Sequence, residues 1–349
     1  AHSRMNTRNK PGLLRSNAVV AVTMHDKIKT ADQTRICSQA TEMNGLNDKK
    51  MNPVKGAIVF LVAIFSTTAF AAGLNDPENL FPRVFGEIRT ITSSGDETLM
   101  EVARREGFGF DVVVNSNRAV DPWSPGNGTE VILPGKVIVP YGAQTGLTIN
   151  LAELRLFHII ERDDRSYQVG IYPLGIGRQG RATPEGVFHI NVKQQHPYWR
   201  VPQWLRQEDP SLPQVMSPGP NNPLGDYWLG LSAPGYGIHG TNRPFGVGRR
   251  VSSGCIRMYP HDIAALYARI AIGTPVTISY QPIKATGNGG NLLLEVHPDY
   301  LGRFRDPFQH ALHVISQTGW PGRVNYSQVR DVVRTERGIP EIVGVRLEE

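Results

Sequence analysis

The sequence predicts a mainly β protein: a β-sandwich-like central domain preceded by a small α/β module and followed by a short α/β extension. Three observations carry this. From Leu147 to Tyr280 short apolar segments are separated by Gly and Pro, and one stretch, HDIAALYARI, has helical spacing. Between Ile91 and Pro140 two short helical stripes precede two β segments around a Pro-Gly turn. Beyond residue 282 an apolar strand is followed by two further helical stretches. Short strands with one late helix are the pattern of packed sheet layers.

The first 72 residues stand outside this fold. From Met51 the chain runs MNPVKGAIVFLVAIFSTTAFAAG, with Lys55 as a short basic region, an apolar run from Ala57 to Phe65, and small residues at Ala69, Ala71 and Ala72. That is the layout of a secretory signal peptide over 51–72, cleaved near Ala72, and it predicts export. Ser66, Thr67 and Thr68 interrupt the apolar run, well short of the roughly 20 residues a spanning helix needs. Residues 1–50 are polar, rich in Asn, Lys and Arg, and read as a non-globular presequence.

Removing these segments changes the charge argument. Residues 1–50 hold nine Lys and Arg against four Asp and Glu, and Lys55 adds one more; of the totals of 37 and 31, 27 basic and 27 acidic residues remain after Ala72. A balanced chain gives no electrostatic reason to expect nucleic acid or a membrane surface as partner.

Cysteine usage points to chemistry. Cys37 lies ahead of the signal, which leaves Cys255 as the one thiol of the exported chain. A lone thiol in an oxidising compartment is either a small buried hydrophobe or a reactive group.

The elements are read in chain order. Leu99, Val102 and Ala103 form a helical stripe, Val112 to Asn117 a second short helix, and Val131 to Leu133 and Val137 to Val139 are β segments. Leu151 to Ile160 and Tyr167 to Ile176 pair as a hairpin around the polar turn Arg162 to Ser166, in which Asp163 and Asp164 are solvated. Gly186 to Val192, Tyr227 to Leu231 and Pro275 to Tyr280 are further strands, and Asp262 to Ile270 is the helix. Between them, residues 196–226 form a long connection rich in Pro, Trp and Asn, a length typical of lids and binding loops. At the C-terminal end, Leu292 to Val296 is a strand, and helices are expected around Pro307 to Ser316 and Ser327 to Arg337.

The chemical signal is GIHGTNRPFGVGRRVSSGCIRMYPHDI, residues 237–263, in which His239 and Cys255 stand sixteen positions apart beside glycines. Glycines at a thiol allow a tight turn whose N–H groups point at a developing oxyanion. An imidazole in reach would hold Cys255 as a thiolate and later protonate a leaving amine. Other sites are weaker. The remaining histidines, among them His158, His189 and His196, have no metal-ligand spacing, so no metal or cofactor is expected. Gly246 to Arg250 lacks the strand and helix context of a phosphate loop.

Taken together, IHGTN, VSSGCIRM, TPEGVF at 183–188 and PGPNNPLG at 218–225 resemble the YkuD-type L,D-transpeptidases, particularly their Gram-negative periplasmic subgroup, over residues 147–281. The block 91–140 resembles a LysM peptidoglycan-binding module, with an inert spacer as its alternative. Residues 282–349 lie beyond the first resemblance as a C-terminal extension. The resemblance implies a β-sandwich L,D-transpeptidase catalytic domain in the periplasm, acting on peptidoglycan tetrapeptide stems through a Cys255 thioester at diaminopimelate. His239 would be base and then acid, held by the Gly240 carbonyl. Gly254 and Cys255 would supply oxyanion N–H groups, and Arg257 a substrate carboxylate contact, with Ser252 and Ser253 lining the same pocket. Many members carry His where this chain has Ser253. Carbapenem-type inhibitors would acylate the thiol. The acceptor is left open between a diaminopimelate amine, giving 3-3 crosslinks, and the C-terminal lysine of an outer-membrane lipoprotein. A cysteine hydrolase on the same scaffold and a non-catalytic peptidoglycan-binding protein are the alternatives.

Overall fold

The computed structural model describes residues 83–346. The presequence and the signal segment lie outside the described residues. Among the described residues six α-helices punctuate a mainly β fold: α1 (Leu99–Glu106), α2 (Phe110–Ser116), α3 (Gln203–Glu208), α4 (Pro260–Arg269), α5 (Pro307–Gln317) and α6 (Tyr326–Thr335).

The N-terminal unit is a β-α-α-β arrangement in which Ile88–Thr92 pairs antiparallel with Glu130–Pro134. Thr98 and Glu101 form a reciprocal capping box at the start of α1, and Gly107 ends it in the left-handed region, φ 75°. Leu99, Val102 and Ala103, at helical spacing, are fully buried against Val113, Val131 and Leu133. Asn117 closes the unit. Its amide donates to the carbonyls of Val113 and Ile132, both at 2.8 Å, and its oxygen accepts from Ile132 N at 2.8 Å.

The central domain is one curled, mixed sheet of eight strands. Their spatial order is Ile256–Arg257, Gly237–His239, Tyr227–Leu231, Gly186–Gln195, Pro275–Ser279, Gly146–Asn150, Arg155–Glu161 and Tyr167–Pro173. Two neighbouring pairs are parallel, Gly237–His239 with Ile256–Arg257 and Pro275–Ser279 with Gly146–Asn150. Leu147, Ile149, Leu156 and Tyr172 point into the main core together with Ile263 and Leu266 of α4. Phe157, Ile159 and Val169 take the opposite face and pack with Phe85, Val137 and Val139. This alternation is the period of two expected of a strand covered on both sides. Each such side chain contributes roughly 1.5–3 kcal/mol through burial.

Tyr227–Leu231 and the polar turn of the first hairpin match the sequence expectation. The strand expected over Leu151 to Ile160 does not run unbroken. Asn150 accepts from Ala152 N, residues Leu151–Glu153 make one tight turn, and Leu154 enters the left-handed region at φ 55°. The apolar run therefore folds as two antiparallel strands, Gly146–Asn150 and Arg155–Glu161. Asn150, Glu153 and Arg155 flank the break but are buried like their apolar neighbours, so the run keeps no inside-outside alternation there.

Residues 283–345 build a second sheet, in the order Ile283–Asn288, Asn291–Val296, Glu341–Val345 and Arg323–Val324, under α5 and α6. It joins the central domain through a buried ionic cluster of Glu153, Arg155, Lys284, Glu295 and His297, none more than 4% exposed. Lys284 Nζ lies 2.7 Å from Glu153 and 3.2 Å from Glu295, and Arg155 lies 3.1 and 3.5 Å from the same carboxylates. His297 Nε2 is 2.7 Å from Glu295 Oε1. Glu153, Glu295 and His297 are close enough to resemble a metal-ligand set, but Lys284 already supplies the cation between the two carboxylates. Burial alone would raise the Glu295 carboxyl, yet Lys284, His297 and Arg155 outweigh it and hold it below its ordinary value.

Removing one partner from such a cluster leaves a buried charge uncompensated, which costs about 3–5 kcal/mol. Lys284→Met is expected to lower the unfolding free energy by that amount in urea titrations, and adding Glu153→Gln should recover part of it. A loss below about 1 kcal/mol would show that the cluster does not hold the two sheets together.

Candidate active site

His239 ends the short strand Gly237–His239, between Trp228 on its antiparallel neighbour and Arg257 on its parallel one. This parallel register places Cys255, two residues before Arg257, beside the start of the strand that His239 ends. The imidazole is 3% exposed, stacks on the Trp228 ring at 5.7 Å between centroids, and has Nδ1 2.6 Å from the Gly240 carbonyl. A carbonyl can only accept, so Nδ1 carries the proton and Nε2 keeps its lone pair as the basic atom. Burial, with Arg257 adding to it, lowers the imidazole pKa to about 4, against opposing backbone hydrogen bonds to Gly240 and Leu224. Leu224 is placed by Asn222, a buried side chain of the long connection, whose oxygen accepts from Leu224 N at 2.9 Å and whose amide donates to Pro197 O at 2.9 Å.

Cys255 sits in the turn between Arg250–Ser252 and Ile256–Arg257. Gly254 adopts φ 113°, and a Cβ there would lie 2.9 Å from the Tyr236 ring, so the turn requires glycine. Ser252 Oγ donates to Cys255 O at 2.5 Å and accepts from Gly254 N at 3.2 Å. Thr183 Oγ1 donates to Gly254 O at 2.8 Å. The thiol is directed at Gly235 O, 3.6 Å away. Burial raises its pKa, against a backbone hydrogen bond from Gly237 and the charge of Arg257. Burial thus acts on both groups toward their neutral forms, against the thiolate that a neighbouring imidazole favours.

Arg257 is half-buried, its backbone bridging Gly175 at 2.7 and 2.8 Å. Its buried Nε has no hydrogen-bond partner, and the positive charge of Arg243 acts on it. That guanidinium can meet a carboxylate.

Of the residues expected at the site, Ser252, Gly254 and Cys255 share one hydrogen-bonded turn, His239 and Arg257 are partners on adjacent parallel strands, Gly240 holds the imidazole, and Ser253 is exposed in the turn. Two expectations change. The Ser252 hydroxyl is engaged inside the turn rather than presented to a ligand, and the Gly254 N–H faces Ser252 instead of an oxyanion. The Cys255 N–H is the remaining amide at the nucleophile. Sequence reasoning assigned no role to Trp228, Arg243 or Thr183; Thr183 alone had a signal, as part of TPEGVF.

Two surrounding segments frame the turn. Arg181 lies 3.7 Å over the Trp204 ring, and Arg178 and Arg181 face Glu208 at 3.7 and 4.0 Å, which fastens α3 beside the nucleophile. The N-terminal unit packs on the segment joining His239 to Cys255. Asp111 N donates to Gly248 O at 3.1 Å and Tyr259 Oη to Phe108 O at 2.9 Å, and Gly109 approaches Gly248 too closely for a side chain at either.

A basic imidazole nitrogen on one strand, with a thiol and an amide in the turn leading into its parallel neighbour, supplies the groups that cysteine acyl transfer needs. The model of the L,D-transpeptidase catalytic domain, YkuD, matches residues 144–278. The probable L,D-transpeptidase ErfK/SrfK of Escherichia coli is 36% identical over 223 residues, covering 62% of this chain and 71% of that protein. Its Salmonella typhimurium counterpart is 33% identical over 308 residues, covering 84% and 96%. The probable L,D-transpeptidase YbiS of Escherichia coli is 30% identical over 299 residues, covering 81% and 96%. The chain belongs to the YkuD-type L,D-transpeptidase family and is an enzyme of that class.

The charge states predict two limbs. Iodoacetamide alkylation of Cys255 should rise with pH through a midpoint above the ordinary thiol value of about 8.5, because only the thiolate reacts. On the acid side, turnover should fall as pH drops through about 4, because the base works only when neutral. An alkylation plateau already reached at pH 7, or an acid limb near 6.5, would contradict the dominance of burial at this pair.

Proposed function

We propose that the chain forms or remodels peptidoglycan linkages in the periplasm, with Cys255 as nucleophile and His239 as base. The observation that carries this reading is the His239 geometry, Nδ1 held by Gly240 O at 2.6 Å with Nε2 left basic on the strand beside Cys255. In the acylation step Sγ attacks the carbonyl carbon of the diaminopimelate residue in a tetrapeptide stem. The thiol proton passes to His239 Nε2, and the C=O pair moves onto oxygen opposite the Cys255 N–H. Collapse breaks the C–N bond, and the Nε2 proton leaves with the amine of the terminal D-Ala. The thioester is then attacked by an acceptor amine, whose proton passes to Nε2; the C–S bond breaks with its electron pair on Sγ, and Nε2 returns the proton to the sulfur.

Arg257 is assigned a stem carboxylate, for which its unpartnered buried Nε and the neighbouring Arg243 are suited. The acceptor is a second diaminopimelate amine or the terminal lysine of an outer-membrane lipoprotein. The domain division follows the sequence reading: signal peptide 51–72, wall-binding module 91–140, catalytic domain 147–281 and extension 282–349. The β-α-α-β order of the N-terminal unit supports a LysM-like role in holding peptidoglycan.

Cys255→Ser is expected to abolish D-Ala release from tetrapeptide stems. A carbapenem should add once to the wild-type chain, by intact mass, and not to that variant. His239→Ala should slow transfer by about 10²–10⁴-fold, the usual worth of general acid–base catalysis, without recovery at high pH, since the leaving amine still lacks its acid. Sacculi from a strain carrying this enzyme alone, analysed by mass spectrometry, should contain 3-3 crosslinks or a lysine-linked lipoprotein remnant. Tripeptide stems without either product would point to hydrolysis.

A further inference from the structure

We infer that Thr183 is a positioning residue for the acyl-transfer step, acting through the Gly254–Cys255 peptide to aim the Cys255 N–H at the developing oxyanion. The inference rests on the transpeptidase reading above and adds a residue to it. Thr183 lies far from the nucleophile in sequence and outside the turn, yet it is 6% exposed and its hydroxyl is fully engaged. Oγ1 accepts from Gly177 N at 3.0 Å and donates to Gly254 O at 2.8 Å. The first contact orients the hydroxyl, since the proton cannot point at an N–H donor, so the second is its donating bond.

What this bond controls follows from peptide geometry. The Gly254–Cys255 bond is trans and planar, so its C=O and N–H point in opposite directions. Fixing the carbonyl on Thr183 fixes the Cys255 amide on the other side. The remaining freedom of the turn is removed by Ser252, which holds Gly254 N and Cys255 O. Gly254, at φ 113°, has no side chain to lock its own rotation. Without the Thr183 hydroxyl, this peptide plane is the part of the turn free to rock. A hydrogen bond to the carbonyl also polarises the peptide and strengthens its N–H as a donor. Such preorganised donors act when charge develops on the carbonyl oxygen, and a donor out of line loses that effect.

Two reactions of the same thiol separate this role from a structural one. Acyl transfer passes through an oxyanion; alkylation by iodoacetamide needs the thiolate but develops no oxyanion. The full chain is compared with Thr183→Val, which keeps the shape and loses the hydroxyl, and with Thr183→Ser, which restores it. Thr183→Val should lower kcat for D-Ala release from a tetrapeptide stem by about 10–100-fold, part of the 10²–10³-fold carried by a whole oxyanion donor. KM and the iodoacetamide rate should stay within about twofold, and Thr183→Ser should return kcat to within a few-fold of wild type. If the valine variant does not fold, Thr183→Ala supplies the same comparison. A hydroxyl-free variant that transfers at the wild-type rate, or loses alkylation in parallel with transfer, overturns the inference. Cys255→Ser in the same assay reports on the underlying reading: D-Ala release persisting there would sink the transpeptidase assignment, whatever Thr183 does.

Discussion

The ionic cluster of Glu153, Arg155, Lys284, Glu295 and His297 is the constraint on which the assembly of the described chain depends. Its side chains come from the central sheet and the C-terminal sheet, and they also take hold of the segment between the N-terminal unit and the central domain. Arg155 donates to Pro134 O at 2.7 Å, Lys284 to Ile138 O at 2.6 Å, and Ile138 N donates to Glu295 at 2.6 Å. Three parts of the chain thus satisfy one another's charges and backbone groups out of reach of water. A buried network of this kind is weak evidence for net stability but strong evidence for a single arrangement, since any displacement strands a charge.

That fixed arrangement reaches the active site through the N-terminal unit. The start of α2 lies against Gly248, and Arg104 and Arg249 lie over Phe245 and Phe110 across the same boundary. The segment carrying the chain from His239 to Cys255 is therefore packed on one side by this unit. On the other, Arg178 and Arg181 tie α3 close to the nucleophile turn. Burial acts on both members of the pair, lowering the imidazole and raising the thiol. A neutral thiol is less exposed to adventitious oxidation than a thiolate.

The sequence by itself determined the β-rich centre and the helices of both flanking parts, and it singled out His239 and Cys255 as the candidate pair. Periodicity fixed Leu99, Val102 and Ala103 on one buried face, and glycines around a lone Cys and His marked the turn, because these signals are local in the chain. It could not locate the break at Leu154, because Asn150, Glu153 and Arg155 around it are buried through partners distant in sequence. Nor could it show that Ser252 and Gly254 bond to each other, that Thr183 lies on Gly254, or that Lys284 occupies the space between Glu153 and Glu295. Those were decided by tertiary structure alone. Hydrogen bonds and charges act over a few ångströms in space, and residues as distant in sequence as Glu153 and Lys284 come within that range only when the sheets have packed.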